Sequence, residues 1–223
     1  MFVINFKNYE EISGSKAVRL AKIAEKISRR YKIKIAIAPP HHLLAEVSKV
    51  SIPVLAQHVD NVNVGSTTGF LVPEIIKKSG IIGSLINHSE HRISQMEIAD
   101  LIARLKKLGM ISIVCVKNVS EARKYAKFDP DYVAIEPPEL IGTGRAVSKE
   151  TPEVITKSAK AIAQAGNTAK LLCGAGIISG EDVTKAIQLG ARGILVASGI
   201  IKAKNWNKII KEFAIAISKS QKG

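Results

Sequence analysis

Several residue types and segments are scarce in this chain, and each scarcity argues against a class of protein. Cysteine occurs only twice in 223 residues, as Cys115 and Cys173, which excludes a disulfide framework and predicts two buried thiols in a reducing cytoplasm. Aromatic residues make up 4% of the chain, which leaves few rings for stacking nucleic-acid bases. No apolar run approaches the length of a membrane span, and the chain begins directly with a strand-like run. We therefore expect no membrane segment, no signal peptide and a cytoplasmic location.

Acidic residues are also in the minority. The chain has 19 Asp and Glu residues against 33 Lys and Arg residues, a formal net charge of +14. Such a charge is compatible with a nucleic-acid partner or with a solvated surface that attracts a small anionic substrate. The basic residues are dispersed along helix faces, as Lys22, Lys26 and Arg30 are, and do not form one run. This dispersion favours the second interpretation and predicts no nucleic-acid partner.

Eight short apolar runs recur along the chain, separated by stretches with helical periodicity. The runs are Phe2–Phe6, Ile33–Ala38, Ile52–Gln57, Ile81–Asn87, Ile111–Val116, Tyr132–Glu136, Ala169–Cys173 and Gly193–Ala197. Alternation of strand and helix predicts a parallel sheet, because parallel neighbours need a crossover connection. Eight units without a spare element predict an α/β fold, a closed (β/α)8 barrel with an outer ring of helices. Residues 1–223 are expected to form a single domain.

Helix starts are marked by capping residues. Asn118 followed by Glu121 resembles a capping box, and Thr151 before Pro152 predicts an N-cap with proline in the first helical position. Ser179 is predicted to begin the seventh helix.

Three potentially reactive side chains follow different strands. Lys7, His88 and Glu136 come at or just past the ends of the first, fourth and sixth runs. The carboxyl ends of all barrel strands open on one face, so the fold is expected to gather these side chains into one pocket. A partly desolvated carboxylate is a strong base, an imidazole can donate to a carbonyl, and an ammonium stabilises a developing oxyanion.

Two kinds of loop complete this chemistry. Residues 137–147 begin with Pro-Pro and end near Gly-Thr-Gly, a stiff segment beside a flexible one, which is typical of a closing lid. Glycines after the last two strands, at 174–176 and 193–199, allow backbone N–H groups to approach a phosphate. The combination predicts proton abstraction next to the carbonyl of a small phosphorylated sugar.

Three motifs, in order, resemble those of triosephosphate isomerases. They are Asn5-Phe6-Lys7, then Asn87-His88-Ser89-Glu90, then Glu136-Pro137 with Ile141-Gly142-Thr143-Gly144. The resemblance implies a TIM barrel and a cofactor-free intramolecular aldose–ketose isomerase of glycolysis and gluconeogenesis. The implied reaction interconverts dihydroxyacetone phosphate and D-glyceraldehyde 3-phosphate through an enediolate.

The resemblance also implies the role of each motif residue. Glu136 is implied to be the base that moves the proton between two carbons, and His88, as a neutral imidazole, the electrophile. Lys7 is implied to hold the substrate and the enediolate electrostatically, Asn5 to orient the substrate, and Glu90 to brace the site by hydrogen bonds. The remaining substrate and phosphate contacts are implied for Ile141, Gly142, Gly176, Ala197 and Ser198.

The chain departs from the family's pattern in two loops. Glu139-Leu140 stands at the lid tip where the family carries Trp-Ala, and Cys173-Gly174-Ala175-Gly176 stands where it carries Tyr-Gly-Gly-Ser. The family serine that helps to hold the phosphate is therefore absent. Backbone amides are expected to supply that contact.

The short chain resembles the archaeal branch of the family, which implies a homotetramer in preference to a dimer. Thr68, in the long loop 58–72, matches the threonine that reaches into a neighbouring subunit's site. Shortened outer helices are expected to expose apolar surface for the additional contact.

Two other functions stay open at this point. A different phosphate-binding barrel enzyme would share the phosphate site without requiring Asn5, Lys7, His88 and Glu136 together. A basic nucleic-acid-binding module would show an affinity that falls steeply with salt.

Two other site chemistries are less favoured. His88 and His91 are spaced for a metal pair but lack a third ligand beyond Glu90, so no metal site is predicted. A catalytic thiol lacks a histidine close in sequence to either cysteine. Whether His58 lines the pocket is left open by the sequence.

Overall fold

The eight apolar runs form a parallel barrel in the computed structural model, which describes residues 1–220. The strands are β1 (Phe2–Asn5), β2 (Ile35–Ala38), β3 (Leu55–Ala56), β4 (Gly83–Ile86), β5 (Ile111–Val116), β6 (Tyr132–Ile135), β7 (Lys170–Cys173) and β8 (Ile194–Val196). They pair in the order β2-β1-β8-β7-β6-β5-β4-β3. Ile37 of β2 forms a parallel bridge with Val54, which joins the two ends of this order. The predicted (β/α)8 barrel is confirmed.

The third strand is shorter than the predicted run 52–57. Pro53 lies within that run and has no N–H, so it can accept a hydrogen bond but cannot donate one to the ladder. Its carbonyl accepts from the Ile37 N–H at 3.0 Å, and regular pairing with β4 begins only at Leu55. Few backbone hydrogen bonds therefore join β2 to β3.

Helices surround the barrel. They are α1 (Ser15–Tyr31), α2 (Leu44–Val47), α3 (Pro73–Lys78), α4 (Gln95–Lys107), α5 (Val119–Ala126), α6 (Val147–Glu150), α7 (Pro152–Ala163), α8 (Gly180–Gln188), α9 (Ser198–Ile201) and α10 (Trp206–Ser220). Short 3-10 turns lie at Glu10–Ile12, His41–Leu43 and Pro138–Leu140. The helices after β2 and β3 are short, as expected from the length of the chain. No helix within residues 1–220 has the length and apolarity needed to cross a membrane.

Two of the predicted helix caps form only in part or not at all. The Asn118 side chain accepts from the Glu121 N–H at 2.9 Å, but the Glu121 carboxylate accepts from Lys117 instead of returning to Asn118. Thr151 begins α7 without a side-chain cap, because the same residue also ends α6 by donating its N–H to the Val147 carbonyl. Ser179 caps α8 as predicted, accepting from Asp182 at 3.3 Å.

The apolar core has two parts. The inner part fills the barrel and consists of small and branched side chains from alternate strand positions: Met1, Val3, Ala36, Ala38, Leu55, Leu85, Ile113, Cys115, Ala134, Leu172 and Leu195. The outer part packs the other strand face against the helices and includes Phe2, Ile4, Leu20, Ile37 and Phe213. Burial on both faces explains why the strands read as continuous apolar runs.

Gly83 gives a test of this packing. A Cβ at Gly83 would lie 2.4 Å from the Ile111 carbonyl oxygen and 2.9 Å from a Leu55 methyl carbon, so Gly83→Ala should force strands apart. We expect the free energy of unfolding, measured by urea denaturation, to fall by about 1–3 kcal/mol. Gly180→Ala is the matched control, because its Cβ would lie closest to the flexible Glu212 side chain, at 3.1 Å, and at an ordinary contact distance of 3.5 Å from the Glu212 carbonyl oxygen. We expect it to stay within about 0.5 kcal/mol of the parent. Equal stability of the two variants would contradict the tight packing of β4.

Candidate active site

The first predicted site residues lie at the end of β1. Lys7 has φ 48°, a left-handed conformation that is costly for a residue with a Cβ. Its N–H donates to the Asn5 side-chain oxygen at 3.0 Å, and its Nζ lies 2.6 Å from Glu90 Oε1. The Lys7 side chain is 11% exposed, so the turn directs it inward across the top of the barrel.

A second left-handed residue follows β4. Asn87 has φ 60°, and its side chain donates to the Cys115 carbonyl at 3.1 Å and accepts from the Ile93 N–H at 3.2 Å. These two hydrogen bonds join the end of β4 to β5 and to the segment before α4. They fix the backbone from which His88 points into the barrel mouth.

The hydrogen bonds of His88 define which of its ring nitrogens carries the proton. Its Nδ1 accepts a hydrogen bond from the Glu90 backbone N–H at 3.2 Å, so Nδ1 has no proton in this arrangement. A neutral ring must then carry its proton on Nε2. That nitrogen lies 3.6 Å from Glu136 Oε2.

Glu136 is a buried carboxylate with an unsatisfied oxygen. The residue is 7% exposed, and its Oε2 has no hydrogen-bond partner among residues 1–220. Its backbone N–H donates to the Val116 carbonyl at 2.8 Å, which holds the end of β6 against β5. A buried charged oxygen without a donor is costly, and it is therefore well suited to accept a proton from a ligand.

Gly174 allows this placement of the carboxylate. A Cβ at Gly174 would lie 2.5 Å from Glu136 Cγ and 3.0 Å from its Oε1. Any side chain at position 174, directly after β7, would therefore displace the Glu136 carboxylate.

A narrow cavity of about 30 Å³ lies between the lid, residues 137–147, and the last two strand ends. Its lining brings together most of the residues predicted for substrate and phosphate contacts. They are Asn5, Lys7, Glu136, Ile141, Gly142, Gly176, Ala197 and Ser198. Ala175, Ile177 and Gly199 are among the other residues that line it.

The lid contacts the loop after β7 through Gly176. This glycine has φ 70°, and a Cβ there would lie 1.8 Å from the Arg145 carbonyl oxygen at the end of the lid. Only glycine fits this approach. The lid base and the expected phosphate loop are thus packed backbone to backbone.

A second, wider cavity of about 690 Å³ shares Asn5 and Lys7 with the first. All five histidines of the chain line it: His41, His42, His58, His88 and His91. His58, which the sequence left open, is therefore a pocket residue. Its ring stacks on His91 with centroids 3.9 Å apart, and its Nε2 lies 3.5 Å from Asp60 Oδ1.

Comparisons with known proteins find one family along nearly the whole chain. The family model described as triosephosphate isomerase matches residues 1–213. The triosephosphate isomerase of Cenarchaeum symbiosum (strain A) is 53% identical over 218 residues, which cover 98% of this chain and 98% of that protein. The protein of that name from Methanocaldococcus jannaschii is 48% identical, over 95% of this chain and 97% of its own length. The protein of that name from Saccharolobus solfataricus is 46% identical, over 96% and 94% respectively.

The chain belongs to the triosephosphate isomerase family.

The residues predicted for the family's site are brought together with one exception. Asn5, Lys7, His88 and Glu90 meet at the second cavity, and the first cavity adds Glu136 with the lid and phosphate-loop residues. Thr68 lies apart, exposed in the loop between β3 and α3. It contributes nothing to the site of its own chain.

What the sequence did not show is the close packing within the site. It marked Gly174 as a glycine near an expected phosphate, but gave no sign that this glycine packs against Glu136. Ile177, which lines the first cavity, carried no signal in the sequence. Within residues 1–220, no group of three His, Cys, Asp or Glu side chains is placed to hold a metal ion.

The alternative of a catalytic thiol is also disfavoured. Burial and the nearby negative charge of Glu136 raise the pKa of the Cys115 thiol well above its usual value. Burial likewise raises the pKa of Cys173, again with a contribution from Glu136. Both thiols are protonated at neutral pH, whereas the nucleophilic form of cysteine is the thiolate.

The stacked histidines predict an acid-sensitive fold. Burial lowers the pKa of His58 below its ordinary value of 6.5, and the neighbouring His91 lowers it further, against the opposing effect of Asp60. Because the folded chain then holds the His58 proton less tightly than the unfolded chain, stability is full above about pH 6.5 and falls as the pH drops below it. We expect the urea midpoint to fall between about pH 7.5 and about pH 5.

The contribution of His58 can be separated from general acid effects. In His58→Gln the fall in the urea midpoint should be smaller than in the parent, and in His42→Gln, which changes an exposed histidine of the same cavity, it should be unchanged. An identical pH dependence in all three proteins would contradict the assignment to His58.

Proposed function

We propose that Glu136, His88 and Lys7 together catalyse the activity of the family, the interconversion of dihydroxyacetone phosphate and D-glyceraldehyde 3-phosphate in glycolysis. The activity follows from family membership over residues 1–213. The observation that carries the residue roles is the distance of 3.6 Å between His88 Nε2 and Glu136 Oε2 at the barrel mouth. A donor and a base so close together can act on adjacent atoms of one small ligand.

The proposed steps require no cofactor. Glu136 Oε2 removes a proton from the carbon next to the carbonyl, while His88 Nε2–H donates a hydrogen bond to the carbonyl oxygen. The electron pair of the broken C–H bond forms the carbon–carbon double bond of the enediolate, and negative charge develops on the oxygen. Lys7 stabilises this charge. His88 Nε2 gives its proton to the former carbonyl oxygen and takes one from the neighbouring hydroxyl group, so that the negative charge passes to that second oxygen. Glu136 then returns the carbon proton to the former carbonyl carbon, and the new carbonyl forms at the carbon that first lost it.

The phosphate is proposed to be bound by backbone N–H groups. Gly142 of the lid, Gly176 after β7 and Ser198 after β8 line the same cavity. The close packing of Gly176 against the Arg145 carbonyl supports a backbone contact at the position where the family's serine is absent. Amide groups that are already fixed bind an anion without further ordering.

The lid is proposed to open for the substrate to bind. A space of about 30 Å³ is enough for water but not for a three-carbon phosphate. Closing over the ligand would exclude water from the enediolate, an arrangement for which this enzyme family is itself a standard example.

We also propose an oligomer in which subunits exchange loop 58–72. The second cavity, of about 690 Å³, is wide enough for a polypeptide loop, and Thr68 with its exposed neighbour Phe70 lies on the loop that would fill a partner's cavity. A homotetramer, preferred to a dimer, would cover the further exposed side chains Ile75, Ile82 and Met96.

Domain organisation and location complete the proposal. All eight strands belong to one barrel, which supports a single domain over residues 1–223. The two cysteines are unpaired and buried, which supports a location in the cytoplasm.

Shortening the proposed base tests the mechanism. Glu136→Asp withdraws the carboxylate by one methylene, and we expect kcat/KM in a coupled dehydrogenase assay to fall about 10²-fold or more. Glu136→Gln removes the base and should cost about 10²–10⁴-fold. Glu139→Gln changes an exposed lid carboxylate and is the control that should stay close to the parent. Turnover by Glu136→Gln at the parental rate would refute the proposed base.

Two substitutions separate the proposed interfaces. Phe70→Asp places a charge on the loop and should yield monomers, whereas Met96→Asp should stop assembly at dimers, as measured by sedimentation velocity. Asn207→Asp adds the same charge at another exposed position and should leave the mass unchanged. A parent that is monomeric at micromolar concentration would refute the oligomer, and one that is only dimeric would refute the tetramer.

A further inference from the structure

Gln57 follows β3 and occupies the space beneath the turn that carries Lys7. Its side-chain Nε2 lies 3.1 Å from the Ala38 carbonyl oxygen, 3.2 Å from the Lys7 carbonyl oxygen and 3.3 Å from Asn5 Oδ1. The amide nitrogen carries two protons, and these two protons are shared among the three acceptor oxygens at the ends of β1 and β2. No motif in the sequence pointed to this residue.

The turn at Lys7 needs such support. Its φ of 48° lies in the left-handed region, where residues with a Cβ persist only if their surroundings hold them. The Lys7 N–H donates to Asn5 Oδ1 at 3.0 Å, and the Lys7 carbonyl accepts from Gln57. Both peptide groups around Lys7 are therefore tied to one small network, in which Asn5 Oδ1 accepts twice.

The network also determines where the Lys7 ammonium lies. The left-handed turn directs the side chain across the barrel mouth, where it is 11% exposed and reaches Glu90. If the carbonyl of Lys7 lost its donor, the peptide could rotate into the ordinary right-handed or extended region. The Cβ would then point in another direction, and the ammonium would move away from the atoms on which charge develops.

We propose that Gln57 is a positioning residue for the reaction, holding Lys7 and Asn5 in their catalytic geometry through its single amide nitrogen. This rests on the proposed function, since it gives Lys7 the charge-stabilising role. Gln57 itself does not touch the reacting atoms in this scheme. Its effect on turnover passes through Lys7 and, to a smaller extent, through Asn5.

A purely structural role is the competing explanation, because Gln57 also spans the top of the sparsely bonded junction of β2 and β3. The two explanations differ in what a second substitution does. If Gln57 acts through Lys7, its replacement should matter little once the ammonium has been removed. If Gln57 only stabilises the barrel, the two losses should multiply.

The experiment is a double-substitution cycle with Gln57→Met and Lys7→Met. Methionine has nearly the length and volume of glutamine but no donor. We expect Gln57→Met to lower kcat/KM by about 10- to 100-fold in the parent, and by no more than about 2-fold in the Lys7→Met background. Gln57→Glu, which keeps a polar side chain of the same shape but removes both N–H donors, should repeat the loss.

Val54→Ala is the matched structural control. Val54 forms the bridge between β2 and β3 and is 2% exposed, so this change weakens the same junction without touching the network. It should lower the urea midpoint while kcat/KM stays within about 2-fold of the parent. All variants are assayed at a temperature where circular dichroism shows each of them folded.

The outcomes distinguish the two proposals. If Lys7→Met keeps the parental kcat/KM, the proposed function of Lys7 fails. The positioning role of Gln57 fails if Lys7→Met lowers kcat/KM but Gln57→Met and Gln57→Glu keep the parental value. It also fails if the Gln57 substitutions lower kcat/KM by the same factor in the parent and in the Lys7→Met variant. A loss in Val54→Ala as large as that in Gln57→Met would also assign the effect to the barrel junction.

Discussion

The site depends on keeping an ionisable carboxylate buried from bulk solvent. Glu136 is 7% exposed, and its Oε2 has no donor among the described residues, so part of its charge is left uncompensated. In water such an oxygen would be solvated and would have to lose that solvation before accepting a proton from carbon. In the folded barrel the carboxylate has already lost this solvation. It is held in place by the packing of Gly174 against Glu136 Cγ and by the hydrogen bond from the Glu136 N–H to the Val116 carbonyl.

The orientation of the site is set by backbone strain at the strand ends. Lys7 and Asn87 are both in the left-handed region although neither is glycine. The backbone of Lys7 is held by the side chains of Asn5 and Gln57. Asn87 is held through its own side chain, which bonds to the Cys115 carbonyl of β5 and to the Ile93 N–H. A regular strand would direct successive side chains alternately into the barrel and toward the helices. The left-handed turn breaks this alternation where the strand ends, so that Lys7 and His88 lean over the mouth. Such a strained backbone conformation persists because the surrounding contacts of the barrel stabilise it by more than the strain costs.

Much of the fold could be predicted from the sequence, because strands buried on both faces appear as continuous apolar runs separated by amphipathic helices. The meeting of Lys7, His88 and Glu136 at the barrel mouth could also be predicted, since each of them follows the end of a strand. What could not be predicted are contacts made through space. Nothing near Gln57 in the sequence reveals that its amide faces Lys7, and the failed cap at Thr151 depends on the helix that ends there. The position of His58 in the second cavity could not be predicted either, because it involves stacking of the His58 ring on His91, which is distant in the sequence.

Glu90 illustrates how one residue can serve the site in two independent ways. Its backbone N–H donates to His88 Nδ1 and so keeps the ring proton on Nε2, a function that any residue with the same backbone could perform. Its carboxylate pairs with Lys7 but is 59% exposed, so the pair is screened by solvent and contributes little to stability. A ligand with a dianionic phosphate can therefore draw the ammonium away from Glu90 at small cost. The imidazole stays in the tautomer that the proposed mechanism requires, because the hydrogen bond that fixes it does not involve the exposed carboxylate.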